Sequence, residues 1–139
     1  MADHLAHAAV VVAAPPAAVW AVLLHPHTPK RILPVSEVLA PWRPGAPFAW
    51  TFDLLGKPSR VDGTVLRFEA PYLLVYDYGD PHAPHRDVVH EVTVALTAEG
   101  TGTRIAVTQT GNVSPLAQRH AEGGWRLALA HLKGLVENG

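Results

Sequence analysis

The stretch that decides the fold class is residues 114–137, which read SPLAQRHAEGGWRLALAHLKGLVE. Ser114 is a favourable helix cap, and Pro115 suits the first helical position because its missing N–H would be unbonded there in any case. Apolar side chains then recur at spacings of four, three and four residues and form one stripe: Trp125, Leu129, Leu132 and Val136. We therefore predict a long helix that covers an apolar surface made by the rest of the chain.

Two adjacent glycines, Gly123 and Gly124, fall inside this helix. Each costs roughly 1 kcal/mol relative to alanine in a helix interior, so their presence needs a reason. We expect the helix to approach the sheet or a ligand closely at this point. The alternative is a local break, with the ordered helix beginning only at Trp125.

The chain before the helix alternates apolar and other side chains in short runs, which is typical of strands. The clearest pair is residues 88–97 and 103–110, joined by a turn at residues 99–102. The other predicted strands are residues 7–14, 37–42, 48–54, 60–70 and 72–78, with a turn at Gly56-Lys57-Pro58 and a bulge or bend at Gly63. Pro16 begins a short amphipathic helix, and a second helical piece is predicted from Thr28 through Ile32. This order predicts an α+β fold in which helix covers one face of an antiparallel sheet.

Length and composition exclude several classes of protein. With 139 residues, 48% of them hydrophobic and 17% charged, the chain fits one globular domain over residues 1–139. A net charge of −1 without a basic stripe disfavours nucleic-acid binding, because that affinity rests on phosphate neutralisation. The absence of cysteine excludes disulfides and thiolate chemistry and fits a reducing cytoplasm. The apolar run at residues 8–14 is too short for a membrane span, so we expect a cytoplasmic protein without a membrane partner.

Short motifs occur in a fixed order over nearly the whole chain. They are Pro16 through Pro26, Pro44-Gly45 with Phe48 and Trp50, Gly63-Thr64-Val65, Ala70-Pro71 with Leu74-Val75-Tyr76, Val92-Thr93-Val94 with Leu96, Gly102-Thr103-Arg104, and Gly123-Gly124-Trp125 with Leu129 and Leu132. In this order they resemble the START-related polyketide-cyclase and lipid-transfer-like (SRPBCC) superfamily, and within it the branch named for the activator of heat-shock protein 90 ATPase. The resemblance implies a helix-grip (START/Bet v 1-like) fold. In that fold a curved antiparallel sheet of about six or seven strands wraps on the long C-terminal helix, with two short helices after the first strand.

In such a fold the inner sheet face lines a cavity, and here that face is predicted to be aromatic. Phe48, Trp50 and Phe52 share one strand face by alternation, as do Leu74, Tyr76 and Tyr78. We predict a non-catalytic binding protein for a small hydrophobic or aromatic ligand, with no cofactor. The predicted ligand-binding residues are Trp50, Phe52, Tyr76, Tyr78, His90, Gln109, Trp125 and Leu129. The open alternative is that these side chains simply fill a core.

Other functions stay open at this stage. In an enzyme of the polyketide-cyclase type, His90 is the candidate acid or base, because imidazole exchanges protons near neutral pH. A co-chaperone-like or regulatory interaction protein is another alternative, and a homodimer is also left open. The histidine pairs His25/His27 and His82/His85 lie in proline-rich segments without a carboxylate at helical spacing, so we predict exposed loop residues and no metal site.

Overall fold

The alternating segments form strands that hydrogen-bond into one antiparallel sheet. The computed structural model of the chain describes residues 4–25, 28, 31, 37–39, 41–79 and 89–138. The elements in chain order are β1 (Ala6–Val12), α1 (Pro16–Leu23), β2 (Glu37–Leu39), β3 (Pro47–Leu54), β4 (Lys57–Glu69), β5 (Leu73–Gly79), β6 (Val89–Glu99), β7 (Gly102–Gln109) and α2 (Pro115–Asn138). This order confirms the predicted α+β, helix-grip architecture, with a sheet followed by one long helix.

The strand order across the sheet is β1-β7-β6-β5-β4-β3-β2, so the strands from β2 to β7 form a meander and β1 joins beside the last one. Val94 pairs with Leu74 on one side and with Val107 on the other, and Val107 pairs in turn with Ala8. Directly paired residues share a face of the sheet. The register therefore places these four apolar side chains on one side, here called the inner face.

The core lies between the inner face and the two helices. Its largest fully buried apolar members are Val12, Val19, Val65, Val92, Ile105, Val107 and Leu132. Burying each such side chain is worth roughly 1.5–3 kcal/mol, so these contacts dominate the favourable side of folding. Val19 comes from α1 and Leu132 from α2, which places both helices on the same face of the sheet.

Helix α2 packs mainly along β1, at the edge of the inner face. Leu129 and Leu132 are buried, and Trp125 and Val136 pack against the core at partial exposure. The apolar stripe predicted from the sequence is therefore confirmed, since all four of its members contact the core.

Side chains of α2 also occupy the outer edge of β1. The backbone N–H of His7 donates to Glu122 Oε2 at 3.0 Å, and that of Ala13 donates to Glu137 Oε2 at 2.8 Å. Lys133 Nζ donates to the carbonyl of Val11 at 2.9 Å and also to Glu137. An edge strand presents unpaired N–H and C=O groups along its outer side, and α2 satisfies two such groups of β1 and the N–H of Ala13 just after it.

At the glycine pair in α2, the structure contradicts both the expected close approach to the sheet and the alternative of a local break. The helix runs without interruption from Pro115 to Asn138, and Gly123 and Gly124 lie on its exposed side. A Cβ atom at either position would meet no atom within 4 Å, so the helix neither approaches the sheet closely there nor breaks. The apolar stripe fixes the rotation of the helix, and that rotation turns both glycines outward.

One predicted strand and one predicted turn also differ from the structure. The strand expected at residues 37–42 ends at Leu39, and Trp42 has a left-handed backbone with φ of 47°. The turn after β3 is Leu55-Gly56, with φ of 50° and 80°, because Lys57 already pairs with Leu54. A two-residue hairpin turn of this kind needs positive φ at both positions. The helical piece predicted from Thr28 through Ile32 lies largely outside the described residues.

Candidate functional site

The aromatic side chains of β3 and β5 meet on the inner face and form what is here called the aromatic row: Phe48, Trp50, Tyr76 and Tyr78. Tyr76 meets Phe48 edge-on with ring centres 5.0 Å apart, and Tyr78 meets Trp50 edge-on at 4.5 Å. Phe48 and Trp50 are themselves 5.5 Å apart. Edge-to-face pairs at such distances add roughly 0.5–1.5 kcal/mol beyond simple burial, so the rings hold one another in position.

Gly63 on β4 explains how side chains of β3 and β5 touch across an intervening strand. It pairs with Phe48 on one side and with Tyr78 on the other. A Cβ atom at this position would lie 2.5 Å from Phe48 Cε1 and 1.9 Å from the carbonyl oxygen of Asp77. The bulge that the sequence attributed to Gly63 lies instead between Val65 and Arg67. Gly63 thus makes room for the aromatic row.

A group of polar side chains lies at one end of the aromatic row and is here called the polar cluster: Tyr78, His90, Gln109, Asn112 and Trp125. Gln109 Oε1 accepts a hydrogen bond from Trp125 Nε1 at 2.8 Å, and the Tyr78 hydroxyl donates to the same oxygen at 3.5 Å. Asn112 Nδ2 donates to the carbonyl of Gln109 at 2.8 Å and to that of His4 at 2.7 Å. The polar cluster therefore ties α2 to the end of the sheet.

His90 belongs to this cluster and is buried on the inner face, with 7% of its surface exposed. Its Nδ1 atom lies 2.8 Å from the carbonyl oxygen of Thr110, and because a carbonyl only accepts, Nδ1 carries the hydrogen. The neutral ring then has its basic lone pair on Nε2. The amide nitrogen of Gln109 lies 3.4 Å from Nδ1, and since both groups are donors this contact contributes no hydrogen bond.

Tyr76 differs from the polar cluster because its hydroxyl makes no hydrogen bond with any described residue. In the same part of the chain, no fully buried side-chain nitrogen or oxygen lacks a hydrogen-bond partner. The hydroxyl oxygen of Tyr76 therefore keeps accessible surface, although protein surrounds the ring. Burial raises the pKa of Tyr76 well above its ordinary value, and the adjacent Tyr78 raises it further. The hydroxyl consequently stays protonated and able to donate.

Most of the residues predicted to bind a ligand come together in the structure. Seven of the eight lie in the core or against it: Trp50, Tyr76, Tyr78, His90, Gln109, Trp125 and Leu129. Phe52 lies apart, half-buried near the end of β3 opposite Ser59 and outside the core. Sequence reasoning missed Asn112, which is 5% exposed. Its only sequence signal is an amide side chain between the last strand and the helix cap Ser114.

The buried polar residues of the described chain include no lysine, arginine, aspartate or glutamate. They are Thr28, His90, Thr103, Gln109 and Asn112. Across the described ranges, no three histidine, aspartate or glutamate side chains are grouped so that they could hold a metal ion. His27, His82 and His85 lie outside these ranges, so the structure does not describe the histidine pairs. No helix in the described part of the chain is long and apolar enough to span a bilayer.

A family model described as activator of Hsp90 ATPase homolog 1-like protein matches residues 13–137 of the sequence. This match covers every described element from α1 through β7 and most of α2. It confirms the superfamily and the branch that the short motifs predicted. A search of curated proteins found no match to the chain.

Solved structures confirm the helix-grip fold. ChR145 from Cytophaga hutchinsonii superposes with a TM-score of 0.82 at 29% identity, covering 96% of this chain and 94% of that one. DynU16, from the dynemicin biosynthetic locus, gives 0.77 at 19% identity, covering 95% of this chain and 46% of that one. Ara h 8.0201 gives 0.73 at 17% identity, covering 97% and 98%. At these identities the last two structures show a shared fold and nothing finer.

Proposed function

This chain belongs to the family of activator of Hsp90 ATPase homolog 1-like proteins, and we propose that it is a non-catalytic binding protein for a small hydrophobic or aromatic molecule. The ligand lies on the inner face between the aromatic row and helix α2, and its binding needs no cofactor. We expect this binding to take place in the cytoplasm.

The proposal rests on one observation, the uneven cover of the inner face. On β1, β6 and β7 the core side chains Val12, Val92 and Ile105 have no exposed surface. On β3 and β5, Phe48 and Leu74 are buried as well, but Trp50 and Tyr76 keep accessible surface although they pack against the same core. A concave apolar surface with a few polar groups at one end is typical of small-molecule sites. Covering it with a ligand is favourable in proportion to the apolar area removed from water.

A thermal-shift screen with a panel of uncharged hydrophobic and aromatic compounds tests the proposal. A ligand at 100 times its Kd that binds only the folded state stabilises it by about 2.7 kcal/mol, which raises Tm by several degrees. Trp50→Ala removes part of the aromatic row and should abolish the shift. Leu127→Ala, at a side chain that is 59% exposed on α2, is the matched control and should preserve it. The proposal is wrong if no compound raises Tm, or if both variants respond alike.

An enzyme of the polyketide-cyclase type is a second candidate, and the placement of His90 favours it. The ring is buried on the inner face with Nδ1 held by the carbonyl of Thr110, which orients Nε2 as the basic atom. His90→Asn keeps a donor near Nδ1 and removes that base. If a bound compound is turned over by the wild type and not by the variant, with equal affinity, the protein is an enzyme. Equal turnover by both proteins rules out this role for His90.

The co-chaperone-like alternative and the homodimer stay predictions. Leu116 and Leu127 on α2 are 70% and 59% exposed. A partner protein that covered them would remove apolar surface from water, which is favourable. A pull-down with heat-shock protein 90 and light scattering of the purified chain check the two ideas separately.

A further inference from the structure

Most polar side chains of the candidate site are already hydrogen-bonded to other described residues, and one is not. Gln109 Oε1 is used by Trp125 and Tyr78, and Asn112 Nδ2 is used by two backbone carbonyls. Nδ1 of His90 is held by the carbonyl of Thr110. Tyr76 alone among these side chains has no hydrogen bond with a described residue, and its oxygen is accessible. Its O–H is thus available to a ligand without breaking a hydrogen bond to any described residue.

The ring of Tyr76 is held firmly, which makes its hydroxyl a fixed donor. Phe48 contacts the ring edge-on at 5.0 Å between centres, and Tyr78 stacks beside it at 6.3 Å. In the sheet, Tyr76 pairs with Val65 on one side and Val92 on the other, and both valines are fully buried. A donor that is already in position loses little conformational entropy when a ligand binds, so more of the hydrogen-bond energy contributes to affinity.

The described residues around Tyr76 disfavour an anionic ligand. None of the buried polar residues in the described chain is a lysine or arginine. A carboxylate moved from water into such surroundings loses its hydration without gaining a cation from the described residues, which costs several kcal/mol. A ketone or similar neutral acceptor needs only one donor and escapes this cost. Because burial raises the pKa of Tyr76, its hydroxyl stays protonated at neutral pH and donates a hydrogen bond to an acceptor.

We infer that the ligand is an uncharged aromatic compound bearing a carbonyl-type acceptor, which packs on the aromatic row and accepts a hydrogen bond from the Tyr76 hydroxyl. This inference rests on the proposed binding function and assigns the chemical class of the ligand within the same site. It assigns ligand recognition to Tyr76 and assigns to the polar cluster the role of holding α2 against the sheet.

Three probes with the same ring system test the inference by titration calorimetry on the full chain: naphthalene, 2-acetonaphthone and 2-naphthoate. The ketone should bind roughly fivefold more tightly than naphthalene, as one neutral hydrogen bond predicts, and the carboxylate more weakly than either. Tyr76→Phe should reduce the affinity of the ketone to that of naphthalene and leave naphthalene unchanged. Tyr72→Phe, at a tyrosine that is 54% exposed, is the matched control and should change none of the three.

The outcomes separate this inference from the proposed function. If none of the probes binds, the inference is overturned, and the thermal-shift screen decides the proposed function by itself. If naphthalene binds but the ketone binds no better, or if Tyr76→Phe weakens naphthalene and ketone equally, the function stands and the role of Tyr76 is overturned. Preferred binding of the carboxylate also overturns the inference. Tyr76→Phe removes a hydroxyl with no partner in the described chain, so its Tm should match that of the wild type, which confirms that the variant is folded.

Discussion

The side-chain amide of Gln109 connects helix α2 to strand β5. Its oxygen accepts from the indole N–H of Trp125 on α2 and from the hydroxyl of Tyr78 on β5. A buried polar group that loses its partner costs roughly 1–3 kcal/mol, so a helix rotated or shifted along its axis would leave the indole unsatisfied. The apolar stripe attracts α2 to the sheet, whereas Gln109 selects one position among those that the stripe permits.

Gly63 and Gly124 form a matched pair for a test at the residue scale. Gly63→Ala should destabilise the protein by about 1–3 kcal/mol, because its Cβ would overlap the Asp77 carbonyl oxygen and the Phe48 ring. Gly124→Ala should instead stabilise by roughly 0.5–1 kcal/mol, because the new methyl group meets open space and alanine is the better helix former.

Urea unfolding of both variants and of the wild type measures these changes. A neutral Gly63→Ala would mean that the aromatic row does not need the empty position on β4. A destabilising Gly124→Ala would mean that the outer side of α2 is covered in solution.

At the scale of elements, α2 stabilises β1 in two ways. The apolar stripe covers the inner face. Glu122 and Lys133 bond to the outer backbone of the strand, and Glu137 bonds to the N–H of Ala13 just after it. The second contact blocks the side on which another strand could add, which is the common hazard of an edge strand. Charged groups make this contact, so its strength depends on pH and salt.

The stability contributed by Glu137 should fall in acid. The hydrogen bond from Lys133, followed by that from the Ala13 N–H, lowers the pKa of Glu137 from its ordinary value. A carboxyl with a depressed folded-state pKa stabilises the protein fully above its ordinary pKa, and this contribution is lost as pH falls through the folded-state value. Wild type should therefore lose Tm relative to Glu137→Gln between neutral pH and about pH 3.

The matched control for this measurement is Glu99→Gln, at the exposed hairpin turn between β6 and β7. Its Tm should follow the wild type at every pH. Salt should reduce the difference between wild type and Glu137→Gln, because the contact is exposed. A constant difference across the pH range would show that Glu137 does not titrate in the folded protein with a lowered pKa.

At the scale of the whole molecule, the sequence predicted what depends on periodicity and missed what depends on contact between distant segments. Alternation identified the strands, and the spacing from Trp125 to Val136 identified the covering face of α2. The rotation that exposes Gly123 and Gly124, and the gap that Gly63 leaves for the aromatic row, depend on neighbours from other elements. Asn112 was missed for the same reason, since its bond to His4 spans 108 residues of sequence.

The difference in sequence separation between local and distant contacts predicts an order of folding. The β6–β7 hairpin closes through a short turn, whereas β1 must find β7 across most of the chain, and such loop closure is slow. Val107→Ala should therefore slow folding, and Val12→Ala should mainly accelerate unfolding. Stopped-flow mixing with urea measures both rates. If Val12→Ala slows folding as much as Val107→Ala does, β1 already pairs in the transition state.

The place of β1 between β7 and α2 has a consequence during synthesis. The strand leaves the ribosome roughly a hundred residues before its partner β7, and its covering helix follows later still. At roughly 5–20 residues per second, the apolar segment AHAAVVV waits at least several seconds without a partner. For that interval the nascent chain exposes an unpaired apolar β-segment, which is the kind of segment that holding chaperones bind. The segment is fully covered only when α2 has emerged.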